Sequence, residues 1–326
     1  MDKIIFENII SVENLLLAWQ EFLRGKKNRK DVMKFSLHLS ENIFDLHIEL
    51  KNKTYRHGGY HAFKISDPKP RDIHKASVRD RLLHHAIYRV LYPYFDGKFV
   101  FDSYSCRNEK GTHRAIDRFG YFFRKVSKNN TKQCWVLKCD IRKFFASIDQ
   151  KILLEILDRQ ISDKNILWLL EKVIESFHST EIKKGLPLGN LTSQLLVNIY
   201  MNEFDQFVKH NLKTKYYVRY ADDFVFLSQN KFELENLLPK LREFLENKLK
   251  LNLHPNKVFI QTFSSGVDFL GWVNFANHRT LRTVTKRRML KKLRNSPKSE
   301  IVQSYLGLLS HGNTHKILNT LPAFVL

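Results

Sequence analysis

Cysteine is scarce in these 326 residues, with only Cys106, Cys134 and Cys139 present. The three thiols are isolated, with neither disulfide nor zinc spacing, which fits a reducing compartment. No uninterrupted apolar run reaches the roughly 18 residues a membrane-spanning helix needs, so no membrane partner is expected. The N-terminal Met1-Asp2-Lys3-Ile4-Ile5 lacks the charged, apolar and small-residue regions of a secretory leader, so a cytoplasmic location is expected. There is no internal repeat and no low-complexity stretch, so subdomains should pack together without long linkers. Acid is in short supply too: 33 Asp plus Glu face 55 Lys plus Arg, a formal net charge of +22. That excess argues for a polyanionic partner, because each cation that neutralises a phosphate releases condensed counterions. A basic membrane-surface protein would carry the same sum. Nucleic acid is the better account.

What is present reads as globular. Hydrophobic residues make up 43% of the chain, and aromatics, mainly its 25 Phe, make up 13%. The length allows a full core and two or three subdomains. Apolar positions at helical spacing (Leu15, Leu16, Trp19, Phe22; then Val32, Phe35, Ile43, Leu46) predict two helices between Val12 and Lys51, around a basic break at Lys26 to Lys30. After Gly58-Gly59, His61 to Ile65 alternates as a strand does, and Asp67-Pro68-Lys69-Pro70-Arg71 is a turn. Val78 to Tyr92 returns to helical spacing, with Pro93 closing the segment. Trp135 to Asp140, Tyr216 to Tyr220 and Phe224 to Ser228 are apolar strands, the last two close enough for a hairpin. Helices are expected over Lys151 to Phe177, Leu191 to Lys209 and Lys231 to Lys250, with Gly185 to Gly189 as a loop. Strands follow near Val258 to Gln261 and Asp268 to Trp272. From Arg282 to Lys298 a helical, basic tail holds eight Lys or Arg and no acid.

The chemistry gathers at three carboxylates. Asp222 and Asp223 stand side by side at the tip of an otherwise apolar hairpin, where like charges repel unless a cation offsets them. Mg2+ takes one or two carboxylates and keeps its other positions for water and phosphate; an acidic β-turn is the plain alternative. Asp140 ends an apolar strand, so it either supplies a third carboxylate or caps a following helix. Three carboxylates at the ends of neighbouring strands can hold two metals roughly 4 Å apart, the arrangement for in-line displacement at phosphorus. The histidines, including His84-His85 and His113, never bring a third ligand at metal spacing, and read as core or RNA-facing groups.

Asp140 with Phe145 five residues on, followed by Tyr220-Ala221-Asp222-Asp223, resembles the two metal-binding motifs of a reverse transcriptase palm. The resemblance covers most of the chain, from about Tyr55 to the C-terminus. Within that group II intron-like prokaryotic superfamily the chain most resembles the reverse transcriptases of diversity-generating retroelements. The residues that carry this closer match are Asp67 to Arg71, Phe101-Asp102-Ser103-Tyr104-Ser105-Cys106-Arg107, Gly111-Thr112-His113 and Leu188-Gly189-Asn190-Leu191-Thr192-Ser193-Gln194. Most reverse transcriptases have Gln-Gly before this last helix and Ser-Pro at its start, whereas here Leu188 precedes Gly189 and Gln194 follows Ser193. The short length, with no added endonuclease or DNA-binding module, agrees with that expectation.

The resemblance implies an α+β right-hand polymerase fold: fingers, a palm of antiparallel sheet packed on helices, and a short helical thumb. It divides the chain into an N-terminal helical extension (1–55), fingers (56–115), palm with finger insertions (116–262), and primer grip with thumb (263–326). It implies two Mg2+ ions, with Mn2+ as a substitute, on Asp140, Asp222, Asp223 and the carbonyl of Ile141. Phe145 would be the gate that leaves no room for a 2′-hydroxyl; core packing is its alternative. Arg71 and Arg107 would clamp the triphosphate, a task suited to the bidentate guanidinium. Leu188, Gly189 and Gln194 would line the nucleotide site, and Lys257, after His254-Pro255-Asn256, could protonate the leaving pyrophosphate. Surface placement is the alternative for these Arg and Lys residues. Tyr220, Gly271 in the Phe269-Leu270-Gly271-Trp272 hairpin, and Arg282, Lys286, Arg287 and Arg288 of the tail would hold template and primer. Gly271 would allow close backbone approach.

At position 188 the usual Gln hydrogen-bonds near the nucleotide, whereas Leu makes only apolar contact. A mispair then leaves no polar group unsatisfied, so low fidelity is expected, with template adenines as the weak point by resemblance. The implied partners are template RNA, an RNA or DNA primer, deoxynucleoside triphosphates and a small basic accessory protein, in a bacterial or phage-encoded system. Rival readings are a related enzyme of phage defence or a retron, an RNA-dependent RNA polymerase (disfavoured by the bulky Phe145), and a non-catalytic maturase-like RNA-binding protein.

Overall fold

The computed structural model describes residues 5–66, 70–294 and 298–319. In chain order the elements are α1 (Phe6–Ile10), α2 (Val12–Phe22), α3 (Lys30–Leu37), α4 (Leu39–Lys51), β1 (Tyr60–Ile65), β2 (Arg71–Ala76), α5 (Val78–Asp96), α6 (Thr112–Val126) and β3 (Trp135–Asp140). Helices α7 (Phe144–Ser147), α8 (Gln150–Gln160), α9 (Lys164–Glu175) and α10 (Leu191–Gln206) follow, then β4 (Tyr217–Tyr220), β5 (Asp223–Ser228), α11 (Lys231–Leu249) and β6 (Phe259–Thr262). The chain ends in β7 (Val267–Phe269), β8 (Trp272–Asn274), β9 (Arg279–Leu281), α12 (Thr283–Arg294), α13 (Ser299–Leu309) and α14 (His315–Leu318). Two compact units result. The first takes residues 1–100, 142–212 and 244–252; the second takes 101–141, 213–243 and 253–326.

In the first unit α5 packs against α2 and α10 and buries Leu82, Leu83, Ile87, Leu91 and Phe95. Helix α5 runs through Pro93 instead of stopping there. Interior proline costs about 3 kcal/mol, and the burial of Leu91, Tyr92 and Phe95 on both sides of it is the offsetting term. The two helices expected between Val12 and Lys51 are three, α2 to α4, because the second breaks at His38 (φ −119°, ψ 37°), where Asn42 Nδ2 donates to the Phe35 carbonyl at 3.0 Å; α1 lies before that span. Strands β1 and β2 form a hairpin with Ile65 opposite Arg71; of the turn expected between them, Asp67, Pro68 and Lys69 lie outside the described residues.

The second unit is built on an antiparallel sheet of order β4-β5-β3-β6. Helix α6 buries Ala115, Ile116, Phe119, Phe122, Phe123 and Val126, one apolar stripe at helical spacing. They join one apolar cluster with Val136, Val218, Val225 and Leu227 of the sheet. Side chains alternate along a strand, so Lys138 and Asp140 continue the row that starts at Val136, and Asp223 continues the row of Val225 and Leu227. The apolar face of the sheet therefore ends in charge. The strand expected over Asp268 to Trp272 is two strands, β7 and β8, turned at Leu270-Gly271 and extended by β9 into a second, three-stranded sheet.

Candidate active site

Register places the carboxylates. In the pairing of β3 with β5, Asp140 stands directly opposite Asp223. In the β4–β5 hairpin Tyr220 pairs with Asp223, so the turn consists of Ala221 and Asp222 alone. The sequence puts both aspartates at the tip; the structure moves Asp223 into the strand, facing Asp140. Ala221 has φ 55°, a left-handed conformation that costs a residue with a Cβ about 1 kcal/mol. The turn is pinned by the backbone N–H of Ile141, which donates to the Asp222 carbonyl at 3.1 Å.

Like charges directly across an antiparallel pair destabilise it, and the surroundings of Asp223 register this. Burial pushes its carboxyl up to about 7, with the Asp222 and Asp140 charges adding to the rise and Lys138 opposing it. Lys138 Nζ lies 3.4 Å from Asp223 Oδ2 and donates to the Asp268 carbonyl at 2.7 Å. Asp223 Oδ1 is buried and has no hydrogen-bond partner among the described residues. Asp140 is better supplied: Lys257 Nζ donates to its Oδ1 at 2.7 Å, and its carbonyl accepts from His254 N at 2.7 Å. The His254-to-Lys257 turn is thus folded onto the end of β3. Asp140 does not cap a helix, since Lys143 occupies the cap position of α7.

No group of three His, Cys, Asp or Glu among the described residues forms a ready-made metal cage, and Lys257 already occupies one oxygen of Asp140. The donor set nevertheless fits a hard divalent cation: carboxylate oxygens only, two of them opposed, and one buried oxygen of Asp223 left without a partner.

Of the other expected site residues in this unit, Tyr220 accepts a hydrogen bond from Thr112 Oγ1 at 3.2 Å, and Arg107 is half-buried and donates to the Ser103 carbonyl at 3.0 Å. Arg282 is ion-paired with Asp268, whereas Lys286 and Arg287 are exposed on α12 and Arg288 is half-buried. Gly271 has φ 88°, and among the described residues no atom beyond its chain neighbours lies within 4 Å of where a Cβ would stand. The left-handed turn, and not crowding within the chain, is what requires glycine there.

The first unit assembles a second group. Phe144 is buried and Phe145 half-buried, their rings edge-on at 5.6 Å, so Phe144 takes the core role and leaves Phe145 partly open. The Phe145 carbonyl accepts from Leu186 N at 2.9 Å, which brings the loop before α10 to α7. That loop is also tied to β2. His74 N donates to the Leu188 carbonyl at 3.1 Å, and Asn190 Nδ2 donates to the His74 carbonyl at 2.8 Å. Gly189 (φ 105°) allows this, because a Cβ there would lie 2.8 Å from Ile73 Cγ2. Gln194 is half-buried in the first turn of α10, and Arg71 is exposed at the start of β2.

Two residues of the second unit escape a reading by motif. Lys138 shares a strand face with Asp140 two residues on, and Arg219 is wholly buried in β4. The available signal was one cation inside each apolar run, Trp135 to Asp140 and Tyr216 to Tyr220.

Comparison with known proteins agrees with this architecture. The family model described as "Reverse transcriptase (RNA-dependent DNA polymerase)" matches residues 64–273. Protein YkfC of Escherichia coli (strain K12) is 29% identical over 254 residues, covering 67% of this chain and 65% of that protein. The group II intron-encoded protein LtrA of Lactococcus lactis subsp. cremoris is 23% identical over 278 residues, covering 64% of this chain and 45% of its own length. The chain thus spans less than two thirds of either relative. Among solved structures, apo telomerase from Candida tropicalis superposes with a TM-score of 0.53 at 13% identity, over 68% of this chain and 48% of that one. The antiparallel sheets and helices are those of a right-hand polymerase fold, and with the family model matched over more than half its length, the chain belongs to the reverse transcriptase family.

Proposed function

We propose that this protein is an RNA-directed DNA polymerase whose reacting centre is the end of the β3–β5 pair. The observation that carries this reading is Asp223, held opposite Asp140 and beside Asp222 with one buried oxygen unpartnered. In the reaction the primer 3′-hydroxyl attacks the α-phosphorus of a deoxynucleoside triphosphate. A new P–O bond forms, the α–β bond breaks and pyrophosphate leaves. Asp140, Asp222 and Asp223 would hold divalent cations, which when bound supply positive charge at the phosphate oxygens and lower the pKa of the attacking hydroxyl. Lys257, whose Nζ donates to Asp140 Oδ1, would give a proton to the leaving group. Phe145, which is half-buried, would exclude a 2′-hydroxyl, while Arg71 and Arg107 would bind phosphates. Gly271 and the α12 cations track the template–primer backbone.

Leu188 deepens the reading. An apolar side chain in place of a hydrogen-bonding one penalises mispairs less, and with the Leu188-to-Gln194 stretch it supports error-prone copying in a diversity-generating retroelement. The test is extension of a DNA primer on a defined RNA with Mg2+. Native protein should copy it with errors concentrated at template adenines, Leu188→Gln should make fewer, and Asp222→Asn should make no product. Ribonucleotides used as readily as deoxynucleotides would overturn the assignment. The names of two relatives, LtrA and the Arabidopsis thaliana protein "Nuclear intron maturase 1, mitochondrial", favour a second reading as an intron RNA-binding protein. Under that reading Asp222→Asn would keep the protein's RNA affinity and its cellular role.

A further inference from the structure

We propose that Arg219 is a positioning residue that fixes the Asp222 turn and the Arg107 segment to one shared anchor, Ser103. The proposal rests on the polymerase reading above. Arg219 is 0% exposed. Its Nη1 donates to the Ala221 carbonyl at 3.1 Å and its Nη2 to Ser103 Oγ at 2.9 Å. The main chain repeats the link: Arg219 N donates to the Asp102 carbonyl and Tyr104 N to the Arg219 carbonyl, both at 2.9 Å, with a parallel bridge between Ser103 and Arg219. Ser103 in turn offers its carbonyl to Arg107 Nη1 at 3.0 Å. One buried residue therefore sits between two guanidiniums, one reaching the carboxylate turn and one expected on the triphosphate.

A guanidinium taken out of water is costly, and an apolar side chain of its volume would pack a β-strand at least as well. What Arg adds is geometry. Ala221 stands in the left-handed region, a conformation that persists only where the surroundings over-determine it. Its carbonyl belongs to the peptide plane that leads into Asp222, so the Nη1 bond sets the direction from which that carboxylate departs. The planar fork reaches two acceptors at a fixed separation, which a lysine cannot do. A mechanically coupled pair follows: shifting Ser103 moves the turn and Arg107 together.

The experiment compares Arg219→Lys, Ser103→Ala and Ser103→Thr with the native chain in two assays. In primer extension, Arg219→Lys and Ser103→Ala should each lower kcat roughly tenfold or more and raise the KM for deoxynucleotides, with primer–template affinity unchanged. Ser103→Thr, which keeps the hydroxyl, should restore most of the loss. In the second assay, Mn2+ titrated into each protein and followed by the paramagnetic resonance of the free ion should bind several-fold more weakly to Arg219→Lys and Ser103→Ala. Combining Arg219→Lys with Ser103→Ala should cost little beyond either alone, since both break one link. Folded Arg219→Lys with native kcat and native Mn2+ affinity would overturn the proposal. So would losses in the two single variants that add in full. If the native chain makes no DNA, the polymerase reading fails while the Mn2+ titration still decides whether Arg219 sets the carboxylates.

Discussion

Asp80 and Asp223 are both carboxylates enclosed by protein, one in each unit, and their surroundings are opposites. Asp80, 1% exposed, is fully supplied: Tyr55 Oη donates to Oδ1 at 2.8 Å, and Gly58 N and Ser77 Oγ donate to Oδ2 at 3.0 and 2.6 Å. Ser77 caps α5 by accepting from Asp80 N, so the pair is a reciprocal cap that also ties down the Gly58 loop. Asp223 faces another carboxylate, keeps one oxygen unpartnered and has a lysine at 3.4 Å. A buried charge whose bonds are all made holds structure together; one whose bonds are left open stores cost that a ligand can relieve.

The sharpest way to break this comparison is to neutralise each carboxylate at equal volume. Asp223→Asn should abolish primer extension, a loss of roughly 10³-fold or more, and should raise stability. The sign follows from its raised carboxyl: between the unfolded value near 4 and about 7 the folded state holds the extra proton, so stability falls as pH rises through that window. Removing the charge should therefore raise the melting temperature at pH 8. Asp80→Asn should do the reverse. It leaves Tyr55 and Ser77 donors facing a weaker acceptor and costs on the order of 2–4 kcal/mol in denaturant unfolding. Equal signs for the two variants would dissolve the distinction.

A third measurement uses pH on the Asp80 side. His84 packs against His57, Nε2 to Nε2 at 3.2 Å, and burial pushes its imidazole down to about 3. Above pH 6.5 it is neutral folded or unfolded and contributes no slope. Below 6.5 the unfolded chain takes a proton that the folded chain refuses, so stability falls at up to about 1.4 kcal/mol per pH unit. Unfolding free energies measured from pH 7.5 to 4.5 should show this slope in the native chain and a shallower one in His84→Gln.

Both features show where sequence could speak and where it could not. The strands that carry Asp140 and Asp223, and the turn that carries Asp222, are legible because an apolar run in a central strand leaves one reading, and the tight hairpin has one spacing. The different placement of Asp222, in the turn, and Asp223, in the strand, is a matter of register, fixed by the left-handed Ala221 and by the pairing of β5 with β3. Neither is encoded within the motif. Lys138 acts through partners about 80 to 130 residues away, and Arg219 joins the nearby Ala221 to Ser103, over 100 residues back; such long-range contacts exist only after folding. The helix through Pro93 is missed because local propensity proposed a stop and tertiary burial selected continuation, whereas the break at His38 is local, with the Asn42 side chain bonded to the Phe35 carbonyl at an exposed site.

The smallest effect tests glycine as geometry against glycine as access. Gly271 forms a two-residue turn with Leu270, which is itself left-handed at φ 53°, and the Gly271 carbonyl accepts from Arg282 N at 3.1 Å. An added Cβ would meet no atom of the described residues beyond its chain neighbours within 4 Å. Gly271→Ala should therefore cost only the left-handed penalty, about 1 kcal/mol, seen as a fall of a few degrees in melting temperature. If this turn grips the primer, the methyl group meets nucleic acid in the space the chain leaves open, and the dissociation constant for primer–template should rise several-fold beyond what the stability loss explains. Gly189→Ala gives the contrast, because its Cβ would strike Ile73 in the free protein. There the loss should appear in stability first. A Gly271→Ala protein that melts early yet binds primer–template as the native chain does would assign this turn to architecture alone.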